Sequence, residues 1–390
     1  MKIYTLFASL FFGIFFGACS SSNTDSNTDS QSDSTAATEI LSENTSGNGG
    51  NWYKHFTGTI GDDINVTLNL NSNNNSLTGT YFYHTVGSLL NISGIIEENG
   101  KFNLQETNAK GDVTGEFNGT ITGSEIVGTW TNADKSKQME FKAAENYTEA
   151  IQFTAYRTEK EQKMAVETVS EETPAAKFLM HILLPSENNT KARTAWTTLF
   201  YNSAANSSNE VEGYMQKEME NYFAEYTAMG GEYDAEMGDL MYNWEREEND
   251  FIVFNDKNIV CLENFYYEFS GGAHGNYGAS LFVYDAQNAK FLKLEDIFKT
   301  GYETTLSKAI TESAKKLYDI APNGSLTEAG IYDETIQPNE NFYIDYKGIT
   351  FVYNPYEIGP YAMGEARVYV SFKNLKDILK PNSPLSGFIK

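Results

Sequence analysis

Residues 265–285 read FYYEFSGGAHGNYGASLFVYD: two aromatic-rich runs joined by a turn that holds Gly271, Gly272, Gly275 and Gly278. The flanks carry side chains suited to a pleated, half-buried surface, so the stretch reads as a long hairpin. Glycine supplies positive φ and lets another surface approach the backbone, which makes the turn either a sharp corner or a recognition loop. Working outward, strands are expected over 147–156 and 178–184, separated by a charged segment with Glu159, Glu161, Glu171 and Glu172. Further strands are expected over 241–244, 251–254, 259–269 and 280–284. Helices fit 191–205, 211–229 and 302–319; in the second, Val211, Met215, Met219, Tyr222, Phe223 and Tyr226 fall on one face, a packing stripe, and Gly230-Gly231 stops it. A hairpin over 342–346 and 349–353, a strand over 367–372 and a short helix near 375–379 close the chain. Residues 146–390 therefore form an α+β domain of antiparallel sheet with three to four helices, in two parts, 146–255 and 256–390.

Residues 51–145 follow another rule. Period-two segments recur with a Thr-Gly or similar pair, as in FTGTI, LTGTYFYH, ISGII, VTGEFNGTI and IVGTW. Eight strands are expected, over 53–60, 64–71, 77–84, 89–95, 101–106, 113–121, 126–131 and 138–142. Eight is the number at which an up-and-down meander can close and remove its edges. The expectation is a calycin-like barrel whose interior is either a ligand cavity, making the protein a carrier of a lipid or glycan, or a solid aromatic and aliphatic core. Trp130 fits that core. The whole fold class is mainly β with α+β.

The N-terminus sets the compartment. Lys2 precedes an apolar run ending in Phe16-Gly17-Ala18-Cys19, followed by serines. Residues 1–18 read as a signal peptide, and the small residues before Cys19 resemble a lipobox, with Phe16 where an aliphatic residue is usual. Lipidation of Cys19 is expected to anchor the chain in the cell envelope, at the outer membrane, facing periplasm or cell surface. Residues 19–50, poor in apolar side chains, form a flexible Ser/Asn/Asp tether. Asp25, Asp29 and Asp33 resemble the surface-export signals of Bacteroidetes lipoproteins. Cys261, in the alternating run IVCLENF, reads as a buried small hydrophobe.

With 28 Lys+Arg against 53 Asp+Glu, the formal charge is −25. Such a field repels nucleic acid and attracts basic proteins. The four histidines, His55, His84, His181 and His274, lack ligand spacing, so no metal or other cofactor is expected. No nucleophile elbow, zinc-protease motif or phosphate loop is present, and Glu263 and Glu268 lie on opposite faces of their strand; the chain reads as a non-enzyme. His274, flanked by glycine, is a turn residue bonded to backbone or an accessible base. In residues 354–364, NPYEIGPYAMG, Pro355 and Pro360 stiffen the loop that Tyr356 and Tyr361 arm. That composition suits either a low-entropy binding surface or a buried corner with its tyrosines tied down.

FYYEFSGGAHGNYG, KLEDIF and VYNPYEIGPYAMGEARVYVSF, in this order, resemble the paired extracytoplasmic domains of unknown function found in the anti-sigma factor RsiV and in the N-terminal part of some peptidoglycan deacetylases. The resemblance covers about residues 147–380 and implies a cell-envelope binding domain; in RsiV that domain binds lysozyme, a basic protein that suits an acidic partner. Carried over by motif, it implies contacts at Pro355, Tyr356, Pro360 and Tyr361, and at His274 and Tyr277, with a basic envelope protein such as lysozyme or a peptidoglycan-related glycan. Neither a sigma-binding segment nor a deacetylase domain is read in the chain, so anti-sigma signalling and deacetylation are not implied.

Overall fold

The computed structural model describes residues 41–42, 50–201, 208–234 and 239–388. Cys19, the signal sequence and the tether, apart from residues 41, 42 and 50, lie outside this set. After strand β1 (Leu41–Ser42) come β2 (Trp52–Ile60), β3 (Ile64–Asn73), β4 (Ser76–Tyr83), β5 (Leu90–Ile96), β6 (Lys101–Thr107), β7 (Val113–Thr122), β8 (Glu125–Asn132) and β9 (Gln138–Glu145). Strands β2 to β9 pair in succession and β9 returns to β2, closing an eight-stranded antiparallel barrel. The Thr-Gly repeat has a steric cause. A β-carbon at Gly79 would collide with the Asn69 carbonyl, and Gly119 and Gly128 face each other across β7 and β8 with room for neither to carry one. Glycine at these positions lets strands approach as closely as a tightly coiled small barrel requires.

Of the two expected interiors, the barrel has the solid one. Phe56, Leu68, Leu70, Leu77, Tyr81 and Phe117 are fully buried, and rings from separate strands meet inside: Tyr81 to Phe117 at 5.2 Å and Phe117 to Phe141 at 5.1 Å between centroids. One carboxylate is enclosed with them. Glu106 accepts hydrogen bonds from Trp130 Nε1 (2.8 Å), from the Tyr81 hydroxyl and from Thr114, which satisfies a buried acid without a cation.

The second unit contains β10 (Phe153–Lys163), β11 (Ala175–Pro185), α1 (Thr190–Tyr201), α2 (Ser208–Met229), the single turn α3 (Asp239–Tyr242), β12 (Trp244–Asp256), β13 (Ile259–Phe269), β14 (Asn276–Asp285) and β15 (Lys290–Phe291). It continues with α4 (Leu294–Ile297), α5 (Glu303–Leu317), β16 (Phe342–Ile344), β17 (Gly348–Tyr353), β18 (Ala366–Ser371) and α6 (Phe372–Leu375). A seven-stranded sheet has the order β1-β10-β11-β12-β13-β14-β15, antiparallel except for β11 beside β12, which α1 and α2 connect. This sheet runs through residues 255 and 256. The α2 stripe Val211, Met215, Met219, Tyr222, Phe223 and Tyr226 is buried, in one core with Phe178, Met180 and Leu262. On the opposite face lies the three-stranded sheet β16-β17-β18, backed by α5 through Leu306, Ile310 and Ala314. Cys261 is fully buried against Ile344, and burial pushes its thiol up to about 12.

Several elements differ from the sequence expectation. Strand β10 starts at Phe153 and continues through Glu159 and Glu161, which were expected to separate strands. The strand expected over 241–244 is the end of α3, and the acidic run after it belongs to β12. Both strands have one face partly open to water, so carboxylates alternate outward without breaking the ladder. Residues 378–380 pair with 297–299 in extended form, which stops the last helix at Leu375.

The barrel docks onto β12 through polar side chains. Strand β3 is buried on both faces: its aliphatic residues fill the barrel, while Asn71 Oδ1 accepts from Ile252 N (3.0 Å) and its Nδ2 donates to Ile252 O (3.3 Å). Asn255 Nδ2 donates to Tyr53 Oη (3.0 Å) and to Ile151 O (2.7 Å). Asn71 thus bonds backbone beside the β12–β13 register shift between Ile252 and Phe254, while Asn255 ties Ile151 and the barrel's Tyr53 to β12.

Candidate functional site

The glycine turn between β13 and β14 and the loop 354–364 between β17 and β18 lie against each other. What joins them is a pair of asparagines. Asn354 Oδ1 accepts from Ala279 N (2.8 Å) and its Nδ2 donates to Ala279 O (3.1 Å). Asn341 repeats the device, accepting from Leu281 N (2.6 Å) and donating to Ala279 O (2.9 Å). Strand β14 pairs with β13 along its length but with β15 only at its C-terminal end, so the amides satisfy backbone that a further strand would otherwise have taken.

Upon this footing the aromatic residues converge. The His274 ring stacks on Tyr361 with centroids 4.0 Å apart and planes 21° from parallel. Tyr361 Oη donates to Gly275 O (2.7 Å), and His274 Nδ1 lies 2.9 Å from the same oxygen, which fixes Nδ1 as the protonated nitrogen. Tyr356 Oη stands 3.4 Å from His274 Nε2, and the Tyr356 and Tyr361 rings are 5.6 Å apart. Tyr277 meets Tyr361 edge-on at 5.8 Å. A β-carbon at Gly275 would come within 2.6 Å of the Tyr267 ring, so glycine there is what allows the turn to lie on that tyrosine.

Tyr356 has φ +73°, a left-handed conformation costly for a bulky residue, and is 54% exposed. Strain of this kind persists only where the surroundings enforce it. Thus both readings of the loop hold in part: Tyr361 is tied to the turn backbone, whereas Tyr356 is presented to solvent. Pro355 is half-buried and Pro360 exposed at the two ends of the tyrosine pair. His274 is the backbone-bonded turn residue, with no carboxylate among its hydrogen-bond partners.

Beneath the loops lies an ion cluster that the sequence did not reveal. Arg367 donates two hydrogen bonds to Glu263 (2.8 and 2.7 Å) and one through Nε to Glu365 (2.6 Å), with its guanidinium 5.9 Å from the Tyr343 ring centre. Two carboxylates flank one cation; burial raises the Glu365 carboxyl, and the two carboxylates hold the Arg367 guanidinium firmly charged. Beside the cluster, the open face of the seven-stranded sheet carries Leu179, Glu247, Tyr267 and Tyr277 in one row across β11 to β14, and Lys177, Glu245 and Phe269 in the next. The signal for this face was the alternation in WEREEND and FYYEF, whose odd-numbered residues share it. Among the described residues, no group of three or more His, Cys, Asp or Glu side chains is placed to hold a metal ion, and no helix is long and apolar enough to cross a membrane. A cavity of about 640 Å³ along α1, lined by Lys191, Thr194 and Leu199 among others, contains none of these site residues.

Residues 295–373 match the family described as "Protein of unknown function (DUF3298)". Over 175 residues, 44% of this chain, the protein is 28% identical to the peptidoglycan-N-acetylmuramic acid deacetylase PdaC of Bacillus subtilis (strain 168). That match covers 35% of the deacetylase, so the chain spans about a third of its length. Among solved structures, it is similar to a DUF3298 family member from Bacteroides fragilis NCTC 9343, with TM-score 0.54 and 23% identity over 63% of this chain and 99% of that one; this likeness is one of fold. A DUF3298 family protein from Pseudomonas aeruginosa PAO1 aligns at TM-score 0.40 and 18% identity, over 59% and 95% of the two chains. The expected resemblance to a domain of unknown function shared with peptidoglycan deacetylases is therefore met: within the α+β unit, residues 295–373 are similar to DUF3298.

Proposed function

We propose that the protein is a non-enzymatic binding module of the bacterial cell envelope. It is anchored by lipid on Cys19 at the outer membrane and takes a basic envelope protein, lysozyme being the concrete case, on the surface formed by the glycine turn and the loop 354–364. The observation that carries this reading is Tyr356, strained, rigidly footed and 54% exposed at the junction of the two loops. A preorganised amphipathic ring next to other aromatics is how a protein builds a contact residue that loses little entropy on binding. The formal charge of −25 and the carboxylates Glu245, Glu247 and Glu357 near the site favour a cationic partner over an anionic one. Sequence shared with an enzyme that, by its name, acts on peptidoglycan supports an envelope location. A peptidoglycan-related glycan could stack on the same rings and is the second partner class to test.

Calorimetric titration of the full chain with lysozyme, at low and at physiological salt, tests the proposal. Binding that weakens with salt, and weakens by about 2 kcal/mol or more in Tyr356→Ala, is expected. Absence of heat at both salt concentrations overturns it.

A further inference from the structure

The two faces of the β12–β13 pair carry the same motif, and only one of them is filled. On the helix-covered face Glu248 stands directly across from Tyr266, and the chain supplies its own cation: Arg246 places Nε 3.5 Å from Glu248 and its guanidinium 5.7 Å from the Tyr266 ring centre. On the open face Glu247 stands across from Tyr267 and Glu245 across from Phe269. Neither Glu245 nor Glu247 has a Lys, Arg or His nitrogen within 4.0 Å among the described residues, whereas the neighbouring Glu159 and Glu161 are paired with Arg157 and Lys177. Glu247 is half-buried and burial raises its carboxyl, an effect that the hydrogen bond from the Asn249 amide and the charge of Arg157 offset only in part. The Arg367 cluster, with Glu263, Glu365 and Tyr343, fills the same arrangement a third time from within the chain.

We infer that Glu245–Phe269 and Glu247–Tyr267 form a two-place receptor for cationic side chains of a partner protein, arginine above lysine. A guanidinium can pair with the carboxylate along its edge while lying over the adjacent ring, whereas an ammonium offers only a point charge. The two places are two residues apart on the same strands, about 7 Å along the chain. Side chains i and i+2 of an extended segment project to one face at that same spacing, so the receptor fits a segment of the form Arg-x-Arg. This inference rests on the proposed basic partner and names what it must present, and where: on the sheet face beside the tyrosine loop rather than on the loop itself.

The test uses the full chain and two probes, the peptide acetyl-Arg-Ser-Arg-amide and lysozyme, titrated calorimetrically at low salt. The arginine peptide should bind roughly fivefold or more tighter than acetyl-Lys-Ser-Lys-amide, and the double variant Glu245→Gln/Glu247→Gln should weaken it about tenfold. Glu161→Gln, which removes the same charge from the same face outside the aromatic pairs, should change it by less than about twofold. Equal weakening in Glu161→Gln and in the double variant overturns the receptor in favour of a diffuse field, as does binding of acetyl-Ser-Ser-Ser-amide as tight as the arginine peptide. Lysozyme separates the two claims. Binding that depends on Tyr356 but ignores Glu245 and Glu247 overturns the receptor and leaves the proposed function standing; arginine-peptide binding with the stated dependence, but no lysozyme binding, does the reverse.

Discussion

Replacing Asn354 by alanine should release the loop 354–364 from the sheet that positions it. The side chain makes two hydrogen bonds to one residue, accepting from Ala279 N at 2.8 Å and donating to Ala279 O at 3.1 Å. These losses are unequal. Ala279 O keeps Asn341 Nδ2 at 2.9 Å, whereas Asn354 is the one side chain that accepts from Ala279 N among the described residues. An unmade buried N–H costs about 1–3 kcal/mol, and the doubly served carbonyl loses less, so Asn354→Ala should destabilise the protein by about 2 kcal/mol. Asn354→Asp, measured at a pH where its carboxyl is protonated, keeps an oxygen for Ala279 N and a hydroxyl for Ala279 O, so it should cost well under half as much. Urea unfolding followed by tyrosine fluorescence measures both. Equal costs in the two variants, or a cost below about 0.5 kcal/mol in Asn354→Ala, would refute the claim that this amide is what holds the tyrosine loop in place.

Three further outcomes are expected. Gly79→Ala sets a β-carbon into the Asn69 carbonyl, backbone against backbone, and should lower barrel stability by about 3 kcal/mol in thermal unfolding; an unchanged Tm contradicts the steric reading of the Thr-Gly repeat. Burial raises the Asp250 carboxyl to about 7 against an ordinary value of 3.8. The folded state therefore holds a proton that the unfolded state has lost between those values, and Asp250 costs stability as pH rises through that window. Asp250→Asn should consequently gain on the parent protein between pH 5 and pH 8, and a difference independent of pH counts against it. Phe117→Ala should cost about 3–5 kcal/mol if the barrel is solid, since it empties the space between Tyr81 and Phe141; a cost near zero would mean that the interior already had room.

Much of this architecture was readable because period and turn chemistry agreed. The recurring Thr-Gly pairs gave eight strands in the barrel, and the α2 stripe from Val211 to Tyr226 turned inward as its spacing requires. Tyr356, Tyr361, His274 and Tyr277 were expected to serve one partner, whereas the asparagines that bring their two loops together carried no sign in the sequence. Asn341, Asn354, Asn71 and Asn255 look like loop and surface residues, and their role depends on backbone brought near only by the fold. The same limit hid the barrel interface: the alternation in INVTLNLNSN marks one apolar face, but Asn69 and Asn71 on the other are buried against the second unit. Glu159 and Glu161 were expected to separate strands, and residues 245–250 fell between two expected strands. A strand with one face partly open to water can carry them, and that openness is set by layers distant in sequence. For this reason Glu245, Glu247, Tyr267 and Arg367 were missed, although the alternation in WEREEND and FYYEF was the available sign.

Hydrogen-exchange footprinting of the full chain, alone and with saturating lysozyme, tests the binding surface most directly. Protection confined to residues 271–278 and 354–364, with the neighbouring open face of β12 and β13, is the predicted pattern. Protection on the barrel or along α1, with these loops unchanged, would contradict it.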